Sequence, residues 1–305
     1  MKLRSTPVLA LLAVVAAVVP ACASTGPEAT GANAVVSTTA PTTTVVPTTA
    51  VTTTVPVTTV PETTVPETTV PETVVPTTAL PTTSIATVVA VSESRVIGTS
   101  VNGTPITAIR RGAEGGRVVL VIGVIHGDEQ AGLQVVERLQ QLDVPTNVDL
   151  WTIDTMNPDG QAANERQNAN QVDLNRNFPY KWGPIGQPGD GQYAGTGPSS
   201  EPETQAIVSL IDELRPDVVI WYHQDLNRIA PGKGRDGAIR ARYAELTGLP
   251  IVDITGGTYT GVAATWARQA INPGVAFIVE LGPTLSGTEA DVHARAVLTI
   301  ASEPG

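Results

Sequence analysis

The sequence is poor in the residues that most often carry positive charge or reactive chemistry. Of its 305 residues, three are lysines (Lys2, Lys181, Lys233), three are histidines (His126, His223, His293) and one is a cysteine, Cys22. Aromatic residues make up only 4%. A formal net charge of −11 with so little lysine lacks the basic footprint that a phosphate backbone demands, so neither DNA nor RNA is an expected partner. A single cysteine excludes an intrachain disulfide. No lysine or arginine occurs between Arg4 and Arg95, so the first third of the chain differs in kind from the rest.

That first third reads as a targeting segment followed by a spacer. Lys2 and Arg4 precede an apolar run, Val8 to Val19, too short to span a bilayer but suited to a signal peptide over residues 1–21. Val19-Pro20-Ala21-Cys22 resembles a bacterial lipobox, with Pro20 an unusual member. In that reading Cys22 carries lipid and anchors the chain to a membrane, which makes it extracytoplasmic. Ordinary cleavage after Ala21-Cys22-Ala23 would instead give a secreted form. Residues 22–88 are mostly Thr, Val, Pro and Ala, and Pro61-Glu62-Thr63-Thr64-Val65 recurs at Pro66–Val70. Such proline density forbids helix and interrupts strand pairing, so a disordered, extended tether is expected.

A folded domain is expected over residues 89–305. Asn102-Gly103 between Val96-Ile97-Gly98 and Ile106–Ile109 signals a hairpin. Val118–Ile125, Val218–Tyr222 and Val275–Val279 are nearly continuous apolar runs, the pattern of strands buried on both faces. Val148–Ile153 reads as a further strand. Helical spacing marks Glu129–Leu142, Thr204–Leu214, Ala238–Leu246 and Glu289–Ile300. The alternation predicts an α/β fold, a mixed and mostly parallel central sheet with helices on both faces. Sites in such sheets lie just past strand ends.

Two of the scarce histidines fall at such places. His126 closes one buried run and His223 follows another, and Glu129 stands three residues after His126. Two histidines and one glutamate form a zinc donor set that leaves a position open for water. Glu280, at the end of Val275–Val279, is the candidate general base at the same edge. His293, flanked by Asp291 and Arg295, reads as solvated. Asn157-Pro158-Asp159-Gly160 reads as a turn, and Arg166 and Asp173–Pro179 as a polar loop able to grip carboxylates through guanidinium forks.

The ordered set His126-x-x-Glu129, Asn157–Gly160, Arg166, Asp173–Phe178, Ser200–Thr204, His223 and Glu280 resembles the zinc metallocarboxypeptidases, especially the small bacterial murein-peptide amidases. The resemblance implies one zinc ion per chain on His126, Glu129 and His223. It implies that Arg166 stabilises an oxyanion, that Asn175 and Arg176 hold the substrate carboxylate, and that Asp173 orients His126. It makes Glu280 the base and then the acid, acting on a peptide or murein peptide in a monomeric enzyme. One position departs from the pattern: Gly257 falls where the family carries a loop tyrosine, and Tyr259 is the candidate replacement. The expected pocket floor, near Ala264, declares no preference for basic or aromatic side chains, while the Arg228–Arg235 loop with Lys233 could meet an anionic substrate. Two other readings stay open. Glu280-Leu281-Gly282-Pro283 leans toward the related zinc N-acyl amino acid deacylases, and an inactive wall-binding lipoprotein would keep the same address.

Overall fold

The structure, a computed structural model, describes residues 90–304. The signal segment and the whole of the tether, residues 1–88, therefore lie outside the described residues. Strands β1 (Ala90–Thr99) and β2 (Pro105–Ala113) form the expected antiparallel hairpin, and Gly103 takes the left-handed φ of 83° at its tip. Then come β3 (Arg117–Val124), α1 (Gly132–Gln141), β4 (Val148–Thr155), α2 (Pro158–Ala163), α3 (Pro202–Leu214) and β5 (Val218–Gln224). The chain continues through β6 (Arg228–Ile229), α4 (Gly234–Thr247), α5 (Ala263–Ala270), β7 (Val275–Leu281) and α6 (Gly287–Ser302).

The seven strands are ordered β1-β2-β4-β3-β5-β7-β6. The central four, β4, β3, β5 and β7, run parallel, and antiparallel pairs close both sides. Successive residues of β3 explain why its sequence does not alternate. Val119 and Val121 pack under α1 and α6, whereas Leu120 and Ile122 point the other way, toward α3 and α5. Both faces are covered, so both parities must be apolar. Parallel central strands also place the C-terminal ends of β3, β5 and β7 along one edge, with His223 in register beside Glu280.

Several local details differ from the sequence expectation. Helix α1 begins at Gly132, not Glu129. Glu129 sits in a turn whose backbone N–H donates to the His126 carbonyl at 3.1 Å. A side chain at Gly132 would overlap the Gly123 carbonyl, so the helix start is pressed against β3. Asn157–Gly160 opens α2 rather than forming a simple turn, with the Asn157 side chain accepting from Gly160 N–H at 3.1 Å. Helix α5 had no clear signal, because eight mostly small residues with Trp266 as the one large apolar side chain carry little periodicity.

His293 is not solvated: it is 5% exposed. Its helical phase on α6 groups it with Ala290, Ala294 and Val297 on the packed face, while Asp291 and Arg295 pair outside at 2.8 Å. Tyr243 Oη lies 2.8 Å from His293 Nδ1, and Tyr222 Oη lies 2.8 Å from Tyr243 Oη. The direction that uses both hydroxyl protons has Tyr222 donating to Tyr243 and Tyr243 donating to a neutral His293. Burial pushes the His293 pKa down to about 4 from its ordinary 6.5, with Glu289 opposing weakly. A depressed imidazole pKa means that the unfolded chain binds the extra proton, so stability is full above about 6.5 and is lost as pH falls toward 4. The loss is on the order of 3 kcal/mol. Urea unfolding at pH 7 and pH 4 should show that loss in the wild type and a clearly smaller one in His293→Gln. Equal losses in both proteins would remove this role.

Candidate active site

At the shared strand edge, β3 runs through Ile125 into His126, β5 ends in His223 and Gln224, and β7 delivers Glu280. One possible ligand atom from each of His126, Glu129 and His223 lies within 4.8 Å of the others. The Glu129 carboxylate stands between the rings, with Oε1 2.8 Å from His126 Nδ1 and Oε2 2.8 Å from His223 Nδ1. The rings meet edge to face with centroids 4.7 Å apart. Gln224 backbone N–H donates to Glu129 Oε2 at 3.1 Å, and its side-chain Oε1 accepts from Ala131 N–H at 2.7 Å. Gln224 thus ties the end of β5 to the turn that carries Glu129. The sequence offered no signal for that role.

His126 is fixed from behind. Its Nε2 lies 3.0 Å from Asp173 Oδ1, which also accepts from Asn175 N–H at 2.9 Å. Asp173 Oδ2 accepts from Arg166 Nε at 3.2 Å and Nη2 at 2.8 Å. Asp173 is fully buried; desolvation raises its pKa, but His126 and the arginines outweigh that and hold it well below the usual carboxylate range. Donation of Nε2–H to Asp173 leaves Nδ1 as a lone pair facing the Glu129 carboxylate. Burial likewise acts to raise the Glu129 pKa, yet His223 and His126 outweigh it and hold it down; desolvation pulls the His223 pKa down, and on His126 Asp173 and Glu129 overcome desolvation and push the pKa up. Two imidazoles and one carboxylate, each offering a ligand atom within 4.8 Å of the others, are the donor types that hold zinc with one position left open. The donor set therefore fits zinc.

The surrounding cavity, ≈ 260 Å³, is lined by those three residues and by Arg166, Asn175, Arg176, Tyr259 and Glu280, among others. Every site residue expected from sequence is thus brought to one place. Arg166 Nη1 also donates to Glu129 Oε1 at 3.0 Å. Asn175 Oδ1 accepts from Ala263 N–H at 3.0 Å, which turns its NH₂ toward His223 and the cavity. Arg176 is 4% exposed, donates Nη1 to the Asn175 carbonyl at 2.8 Å, and has no carboxylate partner among the described residues. Tyr259, 55% exposed, covers the Arg176 guanidinium at 5.2 Å from its ring centroid. Burial, reinforced by Glu129, pushes Glu280 up to about 7. That suits a group that must both take and give a proton near neutrality.

This geometry defines a zinc-peptidase centre on a mixed α/β sheet, and comparison with known proteins agrees. The zinc carboxypeptidase family profile matches residues 87–226. Murein peptide amidase A of Escherichia coli K12 is 30% identical over 183 residues, covering 56% of this chain and 75% of the relative. The Vibrio campbellii murein peptide amidase A is 29% identical over 218 residues, covering 67% of this chain and 85% of the relative. Among solved structures, murein-tripeptide amidase MpaA from E. coli O157 superposes with a TM-score of 0.55 at 25% identity, over 70% of this chain and 93% of that one. Carboxypeptidase A from Helicoverpa armigera reaches a TM-score of 0.63 at 20% identity, over 70% and 68% of the two chains. The chain belongs to the zinc carboxypeptidase family, whose members are zinc-dependent hydrolases of peptide bonds.

Asp173→Asn leaves His126 without its anionic partner and Arg166 without its clamp. Zinc affinity, measured by chelator competition, should fall about 10- to 100-fold while the protein stays folded. Unchanged affinity would show that Asp173 does not orient the ligand.

Proposed function

We propose that the chain is an exported metallocarboxypeptidase that hydrolyses the bond before a C-terminal residue, acting on murein peptides. The observation that carries it is the convergence of three metal donors, the half-buried Glu280 carboxyl group and a buried arginine without a carboxylate partner among the described residues, all in one cavity. Zinc, when bound, supplies Lewis acidity and lowers the pKa of a water toward about 7. The rest falls to the protein. Glu280 takes the proton of the attacking water and returns it to the leaving nitrogen. Arg166 meets the negative charge that develops on the scissile carbonyl oxygen. The free carboxylate of the substrate docks on Arg176 and the Asn175 NH₂, which sets the cut one residue from the chain end. Tyr259 closes over that carboxylate from the exposed lip.

The murein assignment draws on the kinship with murein peptide amidases and on the N-terminus, where Lys2, Arg4, the apolar run and Cys22 suit export and lipid anchoring. The test is direct. Zinc-loaded full-length protein is incubated with L-Ala-γ-D-Glu-meso-diaminopimelate and the products are read by mass spectrometry. Wild type should release diaminopimelate. Glu280→Gln should lose about 10²- to 10⁴-fold in kcat while keeping its zinc. Loss of metal in that variant would show that Glu280 is a ligand or a scaffold residue. Release of free amino acids from N-acyl amino acids, with no action on peptides, would favour a deacylase instead.

A further inference from the structure

The metal ligand Glu129 and the base Glu280 reach the active site on separate pieces of chain. Glu129 stands in the turn between β3 and α1, and Glu280 near the end of β7. Working together requires that this turn and this strand end keep a fixed spacing. Neither is held well by its own neighbours. Helix α1 opens at Ala131 with no side chain of its own capping the first turn. Ala131 is 8% exposed, so its N–H is shut away from water and needs a partner. Beyond Glu280 the chain leaves the sheet at Gly282-Pro283, where the ladder has ended and proline has no N–H to give.

One side chain serves both places. Gln224 is the last residue of β5, directly after His223 and in register with Leu281. Its Oε1 accepts from Ala131 N–H at 2.7 Å. Its Nε2 donates to the Gly282 carbonyl at 3.2 Å and to the Pro283 carbonyl at 3.1 Å. These contacts fix the orientation of the amide. Turned over, it would set its NH₂ against an N–H and its oxygen against two carbonyls. The backbone N–H of the same residue donates to Glu129 Oε2 at 3.1 Å. Among side chains of this length, only glutamine offers an acceptor and a two-proton donor without charge.

We infer that Gln224 is a positioning residue for the reaction, setting the spacing between the metal centre and Glu280 by bracing the Glu129 turn against the exit of β7. Its two arms act on different steps. The oxygen arm holds the turn of a metal ligand and so supports zinc affinity. The NH₂ arm holds the segment two residues past Glu280 and so supports proton transfer. Neither arm reaches Arg176 or Asn175, whose partners lie elsewhere, so docking of the substrate carboxylate is left alone. The oxygen arm stands on the metal site itself, and the NH₂ arm rests on the carboxypeptidase reading above.

Two variants of the zinc-loaded full-length protein separate the arms. Gln224→Met keeps the length and loses both. Gln224→Glu keeps an acceptor for Ala131 but meets two carbonyls with no proton. Zinc affinity, read by chelator competition, should fall about 10-fold in Gln224→Met and be no weaker than wild type in Gln224→Glu. Amide exchange at Ala131 should quicken in Gln224→Met alone. On L-Ala-γ-D-Glu-meso-diaminopimelate, kcat should fall about 10- to 100-fold in both variants with KM little changed, because a displaced base loses its reactive geometry. The added charge of Gln224→Glu by itself would raise the proton affinity of Glu280, and the rate would then recover at higher pH. A displaced base stays slow at every pH, so full recovery overturns the inference. A merely structural role would lower urea stability and leave kcat and zinc affinity of the folded variants at wild-type values, and that result overturns it too. If the wild type cuts no peptide, the carboxypeptidase reading fails by itself. Weaker zinc binding with faster Ala131 exchange in Gln224→Met then upholds the brace, and unchanged values reject it.

Discussion

The structure depends most on the Glu129 carboxylate held between two imidazoles at the C-terminal edge of the sheet. One carboxylate and two Nδ1 atoms within hydrogen-bond distance form an arrangement that water would disperse and that a protein must force. The forcing comes from the strands. His126 follows β3 and His223 lies at the end of β5, and these strands are hydrogen-bonded neighbours buried on both faces. Neither strand can slide by one residue without turning its side chains to the opposite face. Gln224 then fixes the Glu129 turn to β5, and Asp173 fixes His126.

Around that centre, charge is arranged so that each ionised group has a partner except those that face the cavity. Asp173 is bound by His126, Arg166 and a backbone amide. Arg176 and Glu280 lack an opposite charge within ion-pair distance among the described residues, and both line the cavity with Tyr259. Burying unpaired ionisable groups costs stability, so their presence is best explained by a bound state that satisfies them.

Much of this was legible in the residues. Buried strands declared themselves as apolar runs because both faces are covered, and the hairpin declared itself through Asn102-Gly103, where Gly103 adopts a positive φ. Three ligands and Glu280 stood out because histidine is scarce and because each residue sits at or just past a strand end. His293 misled for a related reason: acidic and basic neighbours suggested solvent, yet on a helix they occupy a different face from the residue between them. Helix α5 stayed hidden because alanine carries little amphipathic signal.

The sequence by itself determined most element types, the three candidate ligand positions, the strand-end place of Glu280, and the contrast between the tether composition and the folded domain. Those are local properties: periodicity, strand ends and residue type. Only the tertiary structure decided which groups share a partner. Residues far apart in the chain were brought together as Asp173 with His126, Gln224 with Ala131, and Tyr243 with His293. Hydrogen bonding and desolvation act over a few ångströms of space, and separation along the chain does not encode that distance.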